Sequence, residues 1–366
     1  MEQLAGPEEA RGLTRPVCSV VIPTYHGRRL LETCLDSLSR HLPADPALPC
    51  EVVVADNGPD DSTRAWLARA HPQVRVVALP PGQGFCRAAN AGVRAARGRF
   101  VQVLNDDTEV TPGWVEAGLE PFRDPTVGAV SPLVLTRSRP DRVDSAGDDY
   151  SLAGWPSKRG HGQPVAKWAG RPVEDVMTPS GSASFYRADL LRAVGGFDPS
   201  FGSYYEDVDL GFKLRWAGYR TVYASGCRIL HDISATADHR DPNLQRMMAR
   251  NAELVFWSNL PARTLAVAVV PHMALLTVQA AWRLARLRFI PFYLGKIDAL
   301  RALPTLPARR RLRADLARRS IRPPHFPMGL GSIEKVVDHL RRPREASARP
   351  GGEAESRESH DESSWR

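Results

Sequence analysis

Short apolar runs rich in Val and Ile recur along the first third of the chain, at Val17 to Ile22, Glu51 to Ala55, Val74 to Ala78 and Phe100 to Leu104, with a weaker run at Val127 to Ser131. Amphipathic stretches separate them at intervals of roughly 20–35 residues, the spacing of strand, crossover helix, strand units. Runs that are apolar throughout, rather than at alternate positions, suit strands buried on both faces. The pattern therefore predicts an α/β fold with a mostly parallel central sheet. In open sheets of this kind ligands gather just past the carboxyl ends of the strands. Those positions read Pro23-Thr24-Tyr25, Asp56-Asn57-Gly58 and Asn105-Asp106-Asp107-Thr108, three polar clusters where a crevice is expected.

From Pro132 to Thr178 the periodicity is lost among Gly, Pro, Ser, Arg and Trp, and the stretch reads as long loops with a hairpin. Structure resumes at Ser180. Asp207 to Trp216 has Leu210 and Leu214 four apart, as on one helix face, and Asp209 and Lys213 form an i,i+4 pair on the same helix. The 366 residues suit one α/β domain, assigned to residues 16–260, and a helical appendage over 261–342. Residues 1–15 and the Glu/Ser/Arg-rich 343–366 are expected to be disordered.

Taken singly, the polar clusters are ambiguous. Asn105-Asp106-Asp107 at a strand end can hold Mg²⁺ or Mn²⁺, hard cations that bridge diphosphate oxygens, or can simply cap the turn that follows. Asp56-Asn57-Gly58 is equally a ligand site or a turn. Glu206-Asp207 can supply a general base or favour a helix dipole. His231 is a metal ligand or a structural histidine. Trp155, Trp168, Tyr204 and Tyr205 could stack on sugar rings or fill gaps in the fold.

The clusters mean more in series. Val20-Val21-Ile22-Pro23-Thr24-Tyr25, Val52-Val53-Val54-Ala55-Asp56-Asn57-Gly58, Gly84 to Gly92, Leu104 to Val110, and Gly195-Gly196-Phe197-Asp198 followed by Tyr205-Glu206-Asp207-Val208-Asp209-Leu210 occur in that order. Over about residues 17 to 235 this series resembles the family 2 inverting glycosyltransferases of GT-A (nucleotide-diphospho-sugar transferase) fold, especially their rhamnosyltransferase-like branch. The resemblance implies that Pro23, Thr24, Tyr25 and Asp56 line the nucleotide pocket, and that Gly84, Arg87 and Asn90 flank the donor diphosphate and sugar. It implies that Asn105, Asp106 and Asp107 stand in for the D-x-D motif, with Asp107 as the ligand carboxylate and His231 completing the metal site. Asp207 would be the catalytic base and Glu206 its support, with Ser180, Gly181, Arg187 and Asp209 beside the acceptor or the donor sugar. Asn105 at the first motif position and His26 after Tyr25 depart from the usual pattern. Arg215-Trp216 is similar to the end of a processive-synthase motif, but Phe212 stands where that motif needs Gln.

The resemblance implies transfer of one sugar from a nucleotide donor, dTDP-rhamnose first and UDP-sugars next, to a lipid-linked or cell-envelope glycan. The contrasting expectation is a non-catalytic, membrane-docked module that binds sugar nucleotides or glycans; intact Asp107, Asp207 and His231 argue against it. A nucleotidyltransferase is disfavoured because no Gly/Arg/Lys-rich phosphate loop follows the first strand.

The net charge of +8 is unevenly spread. Pro261 to Arg349 carries 18 Lys/Arg against 5 Asp/Glu, whereas Met1 to Leu260 is slightly acidic. Within the basic part, the 19 residues from Thr264 to Trp282 contain no charged side chain, and the next stretch interleaves Leu, Ile, Phe and Tyr with Arg. That mixture predicts helices lying on an anionic membrane surface, with nucleic acid disfavoured for want of a recognition motif. Five scattered cysteines show neither metal-site nor disulfide spacing, and the first residues lack an apolar signal, so the sequence reads as a cytoplasmic protein attached to the inner face of the membrane.

Overall fold

The computed structural model describes residues 15–25, 28–233, 241–285 and 289–328. His26, residues 1–14 and residues 343–366 lie outside the described residues, and with them the expectations placed there. All described residues fall within the unit Met1–Gly331. The elements run β1 (Cys18–Thr24), α1 (Arg28–His41), β2 (Cys50–Asp56), α2 (Ser62–Ala70), β3 (Arg75–Ala78), α3 (Phe85–Ala95), β4 (Phe100–Val103) and β5 (Thr108–Val110). There follow α4 (Trp114–Leu119), β6 (Val127–Thr136), β7 (Arg139–Ser145), β8 (Asp148–Tyr150), β9 (Pro156–Lys158), β10 (Glu174–Val176), β11 (Phe185–Arg187) and α5 (Ala188–Ala193). The chain continues through α6 (Glu206–Trp216), β12 (Arg220–His231), α7 (Pro242–Asn259), α8 (Ala262–Ala285), α9 (Phe289–Arg301) and α10 (Leu306–Arg319).

Each Val/Ile run becomes a strand, and the central sheet is mostly parallel. Its order is β10-β12-β6-β11-β4-β1-β2-β3. The block β4-β1-β2-β3 is parallel throughout, as is the β6–β12 pair, while β11 joins the two halves antiparallel to both neighbours. All seven residues of β1 are buried, which explains its unbroken apolar run. Val20 and Ile22 point into one core cluster and Val21 into the other, as a strand's two-residue alternation requires. In-register pairing of Thr24 with Asp56 sets the ends of β1 and β2 side by side, so the polar clusters that follow the strands converge.

The sequence between Pro132 and Thr178 is more ordered than expected. β6 runs on to Thr136, β7 pairs with it, and β8 with β9 forms the hairpin. β7 escapes a hydrophobicity reading because its first half is exposed and only Val143 to Ser145 is buried.

The C-terminal helices are tied to the rest through charges. Asp209 on α6 is fully buried, and its carboxylate accepts from Arg313 of α10 and from Asn259 of α7 at 3.0 Å, with Lys213 at 3.4 Å. Arg309 of α10 pairs with Asp198 at 2.8 Å. Burial alone would raise the Asp209 pKa, but Arg313, Lys213 and the Asn259 hydrogen bond outweigh it and hold the value down to about 2. Glu253 on α7 is likewise held down to about 2, since the His272 hydrogen bond and the Lys296 charge outweigh its burial.

Both folded-state values are depressed, so these groups stabilise the fold at neutral pH, and that contribution disappears as pH falls toward 2. The urea midpoint is expected to drop steadily between about pH 5 and pH 2. Arg313→Ala, which strands a buried carboxylate, is expected to cost about 3–5 kcal/mol at pH 7 and to flatten the acid slope. An unchanged urea midpoint would contradict the assignment.

Candidate active site

The site is assembled at the strand ends. At the β1 end Thr24 Oγ1 donates to Asp106 Oδ2 at 2.6 Å, and Tyr25 stands exposed at the rim. Asp56, buried at the end of β2, accepts the Gly58 N–H at 3.0 Å and lies 3.5 Å from Arg64. The Asp106 carboxyl is pushed up to about 6 by burial, against the pull of the Thr24 hydrogen bond.

β5 pairs antiparallel with the end of β12, so His231 lies opposite Thr108 and its ring meets Asp107. His231 Nε2 is 3.3 Å from Asp107 Oδ1, and Nδ1 is 2.9 Å from Asp144 Oδ2 at the end of β7. Asp144 also receives Lys158 Nζ at 2.8 Å and lies 3.3 Å from His161. Burial works against ionisation of Asp144, but Lys158 and the two imidazoles prevail and hold its carboxyl well below the usual range.

A second branch carries Glu206 and Asp207. The Asn105 N–H donates to Ser182 O at 2.8 Å, so the Ser180–Ser184 segment runs beside the Asp106-Asp107 turn. Ser180 is buried there, its N–H donating to Ser131 Oγ at 3.2 Å. Gly181 abuts Asp207, and a Cβ at Gly181 would stand 2.7 Å from Asp207 Oδ2. Asp207 Oδ1 accepts the Val208 N–H at 2.7 Å in the first turn of α6. Tyr204 and Tyr205, with φ of 65° and 71°, turn the chain sharply into that helix, and Asn251 of α7 holds the turn by donating to the carbonyls of Phe201, Ser203 and Tyr204. Burial raises the Asp207 pKa, and the Val208 N–H and the Lys158 charge pull it part of the way back. Burial and the neighbouring Asp207 push Glu206 up further still. Asp148, on β8, is raised by burial and by Asp207, which places it electrically within the same cluster.

The two branches are linked by Lys158, which bonds Asp144 and is attracted by Asp207, with Thr24, Asp56 and Asp106 adjoining the Asp107 side. Gly84 opens α3 and Arg87 is exposed on it. Asn90 is occupied elsewhere: its Nδ2 donates to Phe197 O at 2.6 Å and its Oδ1 accepts the Phe197 N–H at 2.9 Å, clamping the Gly195-Gly196-Phe197-Asp198 turn. Asp209, expected beside the acceptor, faces α10 instead, and Arg187 binds the backbone carbonyls of Phe122, Asp124 and Val127. Trp168 packs in a core cluster against Tyr223, and Arg215 of α6 is buried against Asp175 of β10. The sequence reading missed Asp144, Asp148, Lys158 and His161. Their one local signal is the spacing Asp144, Asp148, Lys158 within a stretch too polar to read as strands.

The donor set fits a divalent cation. Burial works against a charge on His231, but its bonds to Asp107 and Asp144 prevail and raise its pKa to about 9. A cation taking the place of the Nε2 proton would find the ring already oriented by Asp144 on Nδ1 and facing the Asp107 carboxylate, the arrangement in which an outer carboxylate orients a ligating imidazole. Among the described residues no group of three or more His, Cys, Asp or Glu side chains could hold a metal. The protein would therefore contribute Asp107 and His231, with oxygens of a bound ligand and water completing the shell.

Polar side chains clustered past the strand ends suit a ligand site, and comparison with known proteins gives the class as a glycosyltransferase. The glycosyl transferase family 2 profile matches residues 19–194. An N-acetylglucosaminyl-diphospho-decaprenol L-rhamnosyltransferase of Mycobacterium tuberculosis is 31% identical over 253 residues, 62% of this chain and 79% of that protein. A pre-mycofactocin glycosyltransferase of the same species is 30% identical over 232 residues, 63% of this chain and 45% of that protein. The solved structure of GalNAc-T7 with UDP, GalNAc and Mn²⁺ superimposes with a TM-score of 0.52 at 15% identity, covering 66% of this chain and 48% of that one, a likeness of fold. The chain belongs to glycosyl transferase family 2, with a GT-A fold, and is a rhamnosyltransferase-like glycosyltransferase.

Gly181→Ala tests the contact with Asp207. The added methyl is expected to displace the carboxylate and to lower turnover about 100-fold while the thermal midpoint stays near wild type. Full activity in that variant would mean that Asp207 tolerates displacement.

Proposed function

We propose that the protein is an inverting glycosyltransferase that moves a single sugar from a nucleotide donor to a lipid-linked or cell-envelope glycan on the cytoplasmic face of the membrane. dTDP-rhamnose is the first choice of donor, UDP-sugars the next, and an N-acetylglucosaminyl-diphospho-lipid the first choice of acceptor; the name of the 31% identical relative supports rhamnose as the sugar and that acceptor class. The observation that carries the reading is Asp207, a half-buried carboxylate with raised pKa against Gly181, joined through Lys158 and Asp144 to the branch that holds His231 and Asp107.

In the proposed reaction an acceptor hydroxyl attacks the anomeric carbon from the face opposite the nucleoside diphosphate. Its proton passes to an Asp207 oxygen as the new carbon–oxygen bond forms. The bond from the anomeric carbon to the diphosphate breaks, and the nucleoside diphosphate leaves with the electron pair. Thr24, Asp56 and Tyr25 would hold the base and ribose, and Gly84, Arg87, Asn105 and Asp106 would border the diphosphate. Asn90 would act there by fixing the Phe197 turn, as its hydrogen bonds indicate. Ser180 and Gly181 would border the acceptor. Mg²⁺ or Mn²⁺ held by Asp107 and His231 would offset charge on the departing diphosphate.

Residues 261–342 would dock on the membrane. α8 is, among the described residues, the one helix long and apolar enough to cross a bilayer, and little of it is buried. Its inner face buries Ala268, His272 and Leu275, while Val267, Val270 and Met273 face outward, joined by Ile290 and Tyr293 of α9. An outward apolar face on a segment rich in arginine suits an anionic lipid surface.

Asp207→Asn is expected to retain nucleoside diphosphate binding and to lose at least about 1,000-fold in transfer, measured as dTDP or UDP released from a panel of nucleotide sugars with Mn²⁺. Wild-type rates in that variant would remove Asp207 from the base role. Asp144→Asn, which slackens the hold on His231, is expected to raise the Mn²⁺ concentration for half-maximal activity about 10–100-fold. Val270→Glu with Met273→Glu is expected to weaken co-sedimentation with phosphatidylglycerol vesicles about tenfold or more; equal binding by wild type and variant would place the lipid contact elsewhere.

A further inference from the structure

The β8–β9 hairpin brings Asp148 at its start and Lys158 at its end to the catalytic centre. Its tip is a closed turn, in which the Ser151 N–H donates to Trp155 O at 3.0 Å and the Gly154 N–H donates to Ser151 O at 2.9 Å. The Ala153 carbonyl points out of this turn and accepts a hydrogen bond from His272 Nδ1 of α8 at 2.8 Å. The other ring nitrogen of His272 lies 3.1 Å from Glu253 Oε2 of α7, and Glu253 Oε1 takes Lys296 Nζ of α9 at 2.6 Å. The imidazole stacks on Phe256 with centroids 3.7 Å apart and planes within 9°. Gly154 closes against the same pair of rings: its φ is +85°, and a Cβ there would come within 2.8 Å of Phe256 and 2.9 Å of His272. The side chain on which the hairpin rests is therefore itself held by three helices.

We propose that His272 is a positioning residue of the active site, through which α8 carries the β8–β9 hairpin and sets where Lys158 and Asp148 stand. The inference rests on the catalytic reading of the site given above. Lys158 is placed to matter, since it bonds Asp144, the anchor of His231, and is also attracted by Asp148 and Asp207. A shift of the hairpin would thus loosen the metal-side imidazole and alter the charge facing the base, while leaving the nucleotide end of the crevice, at β1 and β2, in place.

The test compares His272→Phe with His272→Asn in the full-length chain. Phe keeps a ring on Phe256 and loses both nitrogens; Asn retains a donor for the Ala153 carbonyl. With dTDP-rhamnose and an N-acetylglucosaminyl-diphospho-lipid, His272→Phe is expected to lower kcat about tenfold or more, with dTDP affinity within about twofold of wild type. His272→Asn is expected to recover most of that loss. Hydrogen exchange at residues 148–158 is expected to quicken in the Phe variant and not in the Asn variant, a readout that needs no turnover. The proposal is overturned if His272→Phe keeps wild-type kcat and exchange, if both variants lose equally, or if dTDP binding falls in step with kcat. Failure of the wild-type protein to turn over any donor would count against the catalytic reading instead, with the exchange comparison still deciding whether His272 holds the hairpin.

Discussion

The site depends on one fully buried carboxylate. Asp144 receives His231, Lys158 and His161 at the same pair of oxygens, and these groups come from β12, β9 and the loop beyond it. An ionised carboxylate without such partners would be too costly to bury. The placement of the hairpin, the contact of the β12 end with the end of β7 and the orientation of the His231 ring are consequently coupled. The imidazole that faces Asp107 is aimed before any ligand arrives, because its other nitrogen is already committed.

The same economy recurs around α6. Asp207 and Asp209 are two residues apart on one helix, yet one faces the reaction centre and the other faces Arg313 and Asn259. The helix that presents Asp207 is fixed on its opposite side by a buried ion pair with α10. Asn251 and Arg309 add further ties between the C-terminal helices and the segment leading into α6. The basic region beyond residue 260 therefore has a structural share in the catalytic half as well as an outward apolar face.

Much of this was legible in the sequence, for identifiable reasons. A strand buried on both faces must be apolar throughout, so β1, β2 and β4 announce themselves, and the residues directly following them fall at the crevice by chain continuity alone. The ordered motifs extended that reading to Glu206, Asp207 and His231. Asp144 was hidden because β7 is held by pairing with β6 rather than by an apolar face, and because its partner His231 lies 87 residues further on. Asp209 misled for the converse reason. Its neighbours in sequence belong to the site, but a helix turns successive side chains by about 100° each, and its true partner is 104 residues away.

The paired left-handed residues before α6 have a consequence for how such a chain can diverge. Tyr204 and Tyr205 both hold positive φ, a conformation that costs an ordinary residue roughly 1–2 kcal/mol each and a β-branched one more. Sequence drift at these two positions is thereby channelled toward Gly, Asn and Asp, while Val, Ile and Thr are shut out whatever their fit in the surrounding space. The route into the helix that bears Asp207 is thus guarded by backbone geometry, a filter that acts on every mutant chain during folding, before any substrate has been met.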